Sequence, residues 1–305
     1  MERGKGLEID LPKSYDNLKR EAEETAKLTL AKYPKAERMY KILINDPEVN
    51  GCWDVANYIA VTRLNYNDHG EIHAKIVAAN AVKMLSLLVK DNIEPDLVKY
   101  GGGTYDLNDS FLVVISAGLL HDIGIQIDRE EHNLYSTFLS LDILKRTLSQ
   151  IYQDQEKLAE IRGFILHAIY SHRAKIPDYS IEAALGGIAD GTDMTKGRGR
   201  LAFDLGSASI HTVSALAIEK ATILEGKKKP IRILVDMSNS AGIFQVEETI
   251  ADKIEYGPLE EYIEVIAATI PAEGVTDKRI IYEVVIENGK IVARGSEEKE
   301  EYIKY

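Results

Sequence analysis

The sequence predicts a mainly α protein, a helical bundle over residues 1–205 followed by a small α+β unit over residues 206–305. Three observations lead there. Long stretches of the first two thirds repeat apolar residues at three- and four-residue spacing, the period of a helix packed on one side. One run, residues 111–120, is apolar almost throughout, as a helix buried on all sides is. Beyond residue 205 the pattern turns to short apolar stretches bounded by Gly, Pro and Asn, which read as strands mixed with helices.

Taken in order, residues 14–45 carry an apolar stripe at Leu18, Ala22, Leu28 and Leu30 with Ser14 as a cap; Pro34 interrupts it and 36–44 resumes it. Pro47 and Gly51 predict a turn, and 53–64 a second helical stretch. A polar segment, 63–70, leads into a strong helix over 71–89, where Ile72, Ile76, Ala79, Val82, Leu85 and Leu88 form one face and His73 lies on the first turn. Residues 91–109 read as a mobile connector. The glycines at 101–103 are not followed by the Gly-Lys-Ser/Thr of a phosphate-cradling loop. The buried helix spans 110–122.

Helices follow over 131–148, 155–170 and 180–194. His132 stands near the start of the first, and His167 on the last turn of the second with His172 and Arg173 just beyond. Asp190 and Asp193 lie near the end of the third. Lys196, Arg198 and Arg200 make a basic, glycine-punctuated loop. The α+β unit reads as a helix over 210–224, strands over 231–237 and 262–270 flanking a helix over 241–254, and two strands, 279–286 and 290–294, joined by the hairpin signal Asn288-Gly289. That is an order of αβαβββ. The turn from Val235 to Gly242 offers backbone N–H groups to an anion, but is read here as an ordinary helix cap.

Composition narrows the functions. With 37 Lys and Arg against 49 Asp and Glu, the net charge is -12, which disfavours non-specific binding to nucleic acid or an anionic membrane. An anionic substrate then needs a metal or a local basic patch. A single cysteine, Cys52, excludes an internal disulfide and fits a reducing compartment. The start of the chain is charged rather than signal-like, and no apolar stretch reaches the ~18 residues of a membrane span. A cytoplasmic protein is expected, and its Glu, Lys, Ile and Tyr content resembles that of thermophile proteins.

Six of the seven histidines fall between residues 69 and 172, each at or near a helix end: His69, His73, His121, His132, His167 and His172. Asp122 and Asp190 complete the set. Ligands from several helices converging on one point make the usual metal site of a bundle. Nitrogen and carboxylate donors without sulfur suit Mn²⁺, Fe²⁺, Zn²⁺ or Co²⁺, with Mg²⁺ disfavoured by imidazole. Adjacent helical residues point about 100° apart. His121 and Asp122 therefore reach one metal only if the helix ends there, which Gly124 allows. Asp193, one turn beyond Asp190, can steer a ligand histidine or be a surface charge. His69 is read as a capping or substrate-facing residue, and His211 as structural.

His73, then the string Ala117-Gly118-Leu119-Leu120-His121-Asp122-Ile123-Gly124, then Asp190 within Ala189-Asp190-Gly191-Thr192-Asp193-Met194, resembles the HD-domain superfamily of metal-dependent phosphohydrolases over roughly residues 60–200, in an archaeal-type branch. The resemblance implies that His73, His121, Asp122 and Asp190 bind one divalent metal. In branches with two metals, the Asp of the His-Asp pair bridges them and further histidines join. His132 matches the first such position, and the second falls to His172 or His167, with His172 slightly preferred. Ile125 stands where the dinucleotide-cleaving group has Lys, and that group's Gly-Tyr-Pro signature is absent, which speaks against cyclic-dinucleotide hydrolysis.

The expectation is hydrolysis of a phosphate ester of a nucleotide or other small molecule. A metal-bound water, its pKa lowered toward ~7, would attack phosphorus, with His121 and Asp122 at the centre. One or two divalent ions are expected. Arg63, Arg129, Arg173, Lys196, Arg198 and Arg200 are candidate phosphate ligands. Two other classes stay open: a non-catalytic nucleotide-sensing regulator, and a di-iron oxygenase with the same ligand set. Open strand edges permit a homodimer.

Overall fold

This computed structural model describes residues 13–194, 214–269, 283–287 and 290–293. Its first part is helical: α1 Lys13–Leu30, α2 Pro34–Ile44, α3 Pro47–Asn57, α4 Glu71–Lys90, α5 Asp96–Gly101, α6 Leu107–Leu120, α7 His132–Leu148, α8 Gln155–Ser171 and α9 Ile181–Thr192. A π-helical turn, Tyr58–Arg63, continues α3, and a 3-10 turn, Ile123–Gln126, follows α6. The second part holds strands β1 Ile218–Glu225, β2 Ile231–Met237, β3 Ile263–Thr269, β4 Glu283–Glu287 and β5 Lys290–Ala293, with short helices α10 Gly242–Val246 and α11 Asp252–Glu255 flanking a π turn between β2 and β3.

Helix α6 is the axis. Every residue from Asp109 to Leu120 is buried, and α2, α4, α8 and α9 pack around it. Its crossing with α4 brings the two backbones into contact: a Cβ on Gly118 would lie 2.6 Å from Ala78 Cα. The indole of Trp53 donates to the Leu119 carbonyl at 2.9 Å and ties α3 to the end of α6. Helices α4 and the stretch Leu107–Gln126 are long and apolar enough for a membrane span, unlike the expectation above, but they are 72% and 94% buried inside the protein, as core helices are.

The sheet has the order β1-β2-β3-β4-β5. β2 and β3 are parallel, as the helical crossover between them requires, and the other pairs are antiparallel. The sheet rests on α4 through β1 and β2, and the helical crossover rests on α9, so buried residues of both parts join one apolar cluster.

Three expectations need correction. Residues 218–224 of the expected helix over 210–224 form strand β1, hydrogen-bonded along β2; residues 210–213 lie outside the described set, as do Asn288 and Gly289. The αβαβββ order thus becomes, among the described residues, a five-stranded sheet. Pro47 and Gly51 mark no turn: Asp46 caps α3, accepting from the Glu48 and Val49 amides, and Pro47 sits in its first turn, where no amide is needed. The connector over 91–109 contains α5, and α6 already begins at Leu107, with Asp106 and Asp109 in a reciprocal capping box.

Asp109 also anchors the bundle. Its buried carboxylate accepts from Lys35 Nζ at 2.8 Å, Tyr152 Oη at 2.6 Å and the Asp106 amide at 3.0 Å. Burial alone would raise its pKa, but the bonds from Lys35, Tyr152 and Asp106 hold it below the ordinary carboxylate value. A depressed folded-state pKa adds stability above the unfolded value, about 4, and that stability is lost as pH falls through the folded value. Asp109→Asn is therefore expected to cost about 2 kcal/mol at pH 7. In urea titrations at pH 7 and pH 3, the gap between variant and parent should shrink at the lower pH; an unchanged gap would discredit the role.

Candidate metal centre

Each side chain of the centre is placed by a helix end. The Asp68 carboxylate accepts from the Gly70 and His73 amides at 3.3 and 3.1 Å and so fixes the first turn of α4, which carries His73. At the other end of α6 the helix stops at His121, and Asp122 has left helical geometry, with φ -106 and ψ 0. That break lets two adjacent side chains face one point. The turn then runs so close to α7 that a Cβ on Gly124 would lie 2.1 Å from the His132 carbonyl oxygen. His132 opens α7, His172 caps the end of α8, and Asp190 lies in the last turn of α9.

These residues form two groups that share Asp122. On one side, Asp122 Oδ2 lies 3.1 Å from His73 Nε2 and 3.2 Å from His121 Nε2, and Asp190 Oδ1 lies 3.4 and 3.9 Å from the same two nitrogens. On the other, Asp122 Oδ1 lies 3.3 Å from His132 Nε2 and 3.7 Å from His172 Nε2. The four imidazoles and Asp122 are buried and Asp190 is partly so.

The tautomers follow from the partners of the other ring nitrogens. His121, His132 and His172 each direct Nδ1 at the carbonyl three residues back, of Gly118, Arg129 and Ile169, at 2.9, 2.7 and 2.6 Å. A carbonyl only accepts, so Nδ1 carries the proton; at His132 the Arg129 Nη1 also lies 3.2 Å from Nδ1, and the shorter contact to the carbonyl decides. His73 Nδ1 likewise lies 2.7 Å from Asp193 Oδ2. In the neutral rings all four Nε2 atoms then present lone pairs, and they do so to one another, at 3.1 Å for His73 and His121 and 2.9 Å for His132 and His172. Lone pairs that close repel unless a cation lies between them. The donors of each group could thus hold a metal ion, and Asp122 faces both groups.

The ionisation states agree with that fit. Burial, with His121 and His132 beside it, holds His172 well below the usual imidazole value, and burial with Arg129 nearby does the same more mildly for His132 against the pull of Asp122. Burial would raise Asp122 and Asp190. Positive charge and N–H donation from the histidines for Asp122, and from Lys253 with His73 and His121 for Asp190, instead hold both carboxyls well below the ordinary range, a pull that a cation would supply to neutral rings.

A cleft of about 310 Å³ opens onto both groups. Arg129 and Arg173 line it, as do Asn67, His69, Gln245 and Thr249. Arg129 also packs over Tyr66, and its buried Nε has no hydrogen-bond partner. Arg173 pairs with Glu130. Arg63 is not brought in: it lies over the Tyr58 ring and does not line the cleft. Lys196, Arg198 and Arg200 lie outside the described residues, and so does His211. His167 is not a ligand here. Its Nε2 accepts from the Tyr179 amide at 3.1 Å and its ring stacks on Tyr179, and it belongs to neither group. His69 lines the cleft and bonds the Asn67 carbonyl through Nδ1.

One site residue escaped the sequence reading. Lys253, on α11, reaches across α9; its ammonium donates to the His172 carbonyl and lies 3.3 Å from Asp190 Oδ2. Its own surroundings, Asp252 and Ile254, give no hint. The available signal was in α9, where Gly187 and Gly191 leave room for Lys253 and for the Thr249 carbonyl.

No family model and no solved structure matches the chain. Over 229 residues, 75% of this chain and 87% of the other, it is 45% identical to an uncharacterized protein of Methanocaldococcus jannaschii, MJ1020. The chain belongs to the family that includes that protein.

Proposed function

We propose that the protein is a metal-dependent phosphohydrolase of the HD-domain superfamily, acting on a small phosphate ester with two divalent ions. The observation that carries the reading is the division of the Asp122 carboxylate, one oxygen toward His73, His121 and Asp190 and the other toward His132 and His172. Such an arrangement would let His73, His121 and Asp190 hold one ion and His132 and His172 a second, with Asp122 facing both. Ions held there would supply a nucleophile from water at neutral pH and draw charge from the phosphoryl oxygens.

The chain's own groups do the rest. The Nδ1 bonds lock each imidazole with Nε2 inward, so no reorganisation is needed when a ligand arrives. Arg129 and Arg173 on the cleft wall supply forked donors for phosphoryl oxygens, and the unpaired buried Nε of Arg129 is a donor awaiting an acceptor. Together they answer the problem posed by a net charge of -12: the local field, not the global one, receives the anion.

The test is release of inorganic phosphate from a panel of phosphomonoesters and phosphodiesters, with Mn²⁺, Co²⁺, Fe²⁺, Zn²⁺ or Mg²⁺ added to chelator-stripped protein. Activity is expected to vanish on stripping and to return with a transition metal. Tight metal binding without hydrolysis of any ester would favour a sensing role, and iron-specific consumption of oxygen would favour an oxygenase; either would overturn the proposal.

A further inference from the structure

We infer that Lys253 is an anion-binding residue of this centre, supplied by the C-terminal part of the chain, and that it holds a phosphoryl oxygen of the substrate; this rests on the phosphohydrolase reading. An ammonium has three N–H donors. For Lys253 one goes to the His172 carbonyl and one toward Asp190 Oδ2. The residue is 6% exposed and forms part of the cleft wall onto which both ligand groups open, which leaves the third donor for a group in the cleft. A buried cation with one donor left, beside carboxylates already directed at metal positions, is matched by an anionic oxygen.

The surrounding architecture is built to keep it there. The lysine stem lies over Gly187, where a Cβ would stand 3.3 Å from its Cδ and 3.5 Å from its Nζ. One turn on, a Cβ at Gly191 would lie 2.2 Å from the Thr249 carbonyl oxygen, so the crossover helices sit directly on the face of α9 beside Asp190. The other cations of the cleft, Arg129 and Arg173, come from the loops next to α7 and α8. Lys253 stands on the α9 side, so an oxyanion in the cleft would meet Arg129 and Arg173 from one side and Lys253 from the other.

The experiment uses the full chain and its Lys253→Met and Lys253→Arg variants, with inorganic phosphate as the probe. Calorimetric titration measures Mn²⁺ binding to each protein, then phosphate binding to the Mn²⁺-loaded form. Lys253→Met should bind Mn²⁺ within a few-fold of the parent, yet bind phosphate about tenfold or more weakly, and Lys253→Arg should recover part of that loss. If Lys253→Met does not fold, Lys253→Gln replaces it. Equal phosphate affinity in parent and Met variant overturns the inference. So does parallel loss of metal and phosphate in both variants, which is what a purely structural lysine predicts, and so does a loaded parent that binds no phosphate. A parent that binds phosphate but hydrolyses no ester overturns the hydrolase reading alone, because the comparison of phosphate affinities still stands.

Discussion

Asp122→Asn is expected to leave the fold intact and strip the protein of bound metal on both sides of the centre at once. A single carboxylate touches all four histidines, so its loss is felt in both groups, whereas loss of any one histidine is felt in one. The amide keeps the volume but not the charge that would offset bound cations. Phosphate release should drop by about 10³-fold or more. Metal analysis of the dialysed variant against the parent is the direct readout, with circular dichroism to show that the helices persist. His167→Ala is the control: its ring belongs to Tyr179, and its metal content should equal the parent's. An Asp122→Asn protein that still carries both ions would refute the shared-ligand arrangement.

Gly124→Ala should be the most damaging single methyl group in the bundle. The added Cβ would meet the His132 carbonyl oxygen at 2.1 Å and the Ser136 amide and hydroxyl at 2.4 and 2.8 Å. Two of these contacts are backbone of the first turn of α7, so no side chain can swing aside. The Gly124 amide also donates to Ser136 Oγ at 2.8 Å, a bond the same shift would break. A cost of about 3 kcal/mol is expected, reading as a fall in Tm of roughly 5–10 °C. Because α7 moves as a whole, His132 moves with it. The variant should therefore lose the ion shared with His172 before the one shared with His73. One ion per chain in a folded Gly124→Ala protein is the expected result; an unchanged Tm would mean that the turn and α7 are not packed as described.

Much of this centre could be read along the chain, and the parts that could not share a cause. His73, His121, Asp122, His132 and Asp190 were legible because each lies at a helix boundary that local sequence marks: Gly70 before α4, Gly124 after α6, and the run of small residues ending α9. The choice between His167 and His172 turned on where α8 stops. Five residues on a helix differ by about 140° in direction, so the two cannot serve one site. α8 runs through Ser171 and leaves His172 at its cap. Asp193 could be read either as a steering group or as a surface charge, and only the fold puts it on His73.

Strand β1 was misread because only Ile218 and Ile223 of it are buried, too few to display the alternation of a strand; its pairing with β2 decides, and that partner lies beyond a turn. Lys253 lay beyond reach for the same reason, with its target 63 residues away.

The histidines differ in what keeps them ready. Three take their orientation from a carbonyl of their own preceding turn, and only His73 depends on a group 120 residues distant, at the tip of α9. Thermal breathing of α9 away from α4 would thus loosen one imidazole and spare the other three. A cation bound nearer His73 would exchange with solvent sooner than one bound between His132 and His172, so a protein loaded with two would hold a labile ion and a slow one side by side.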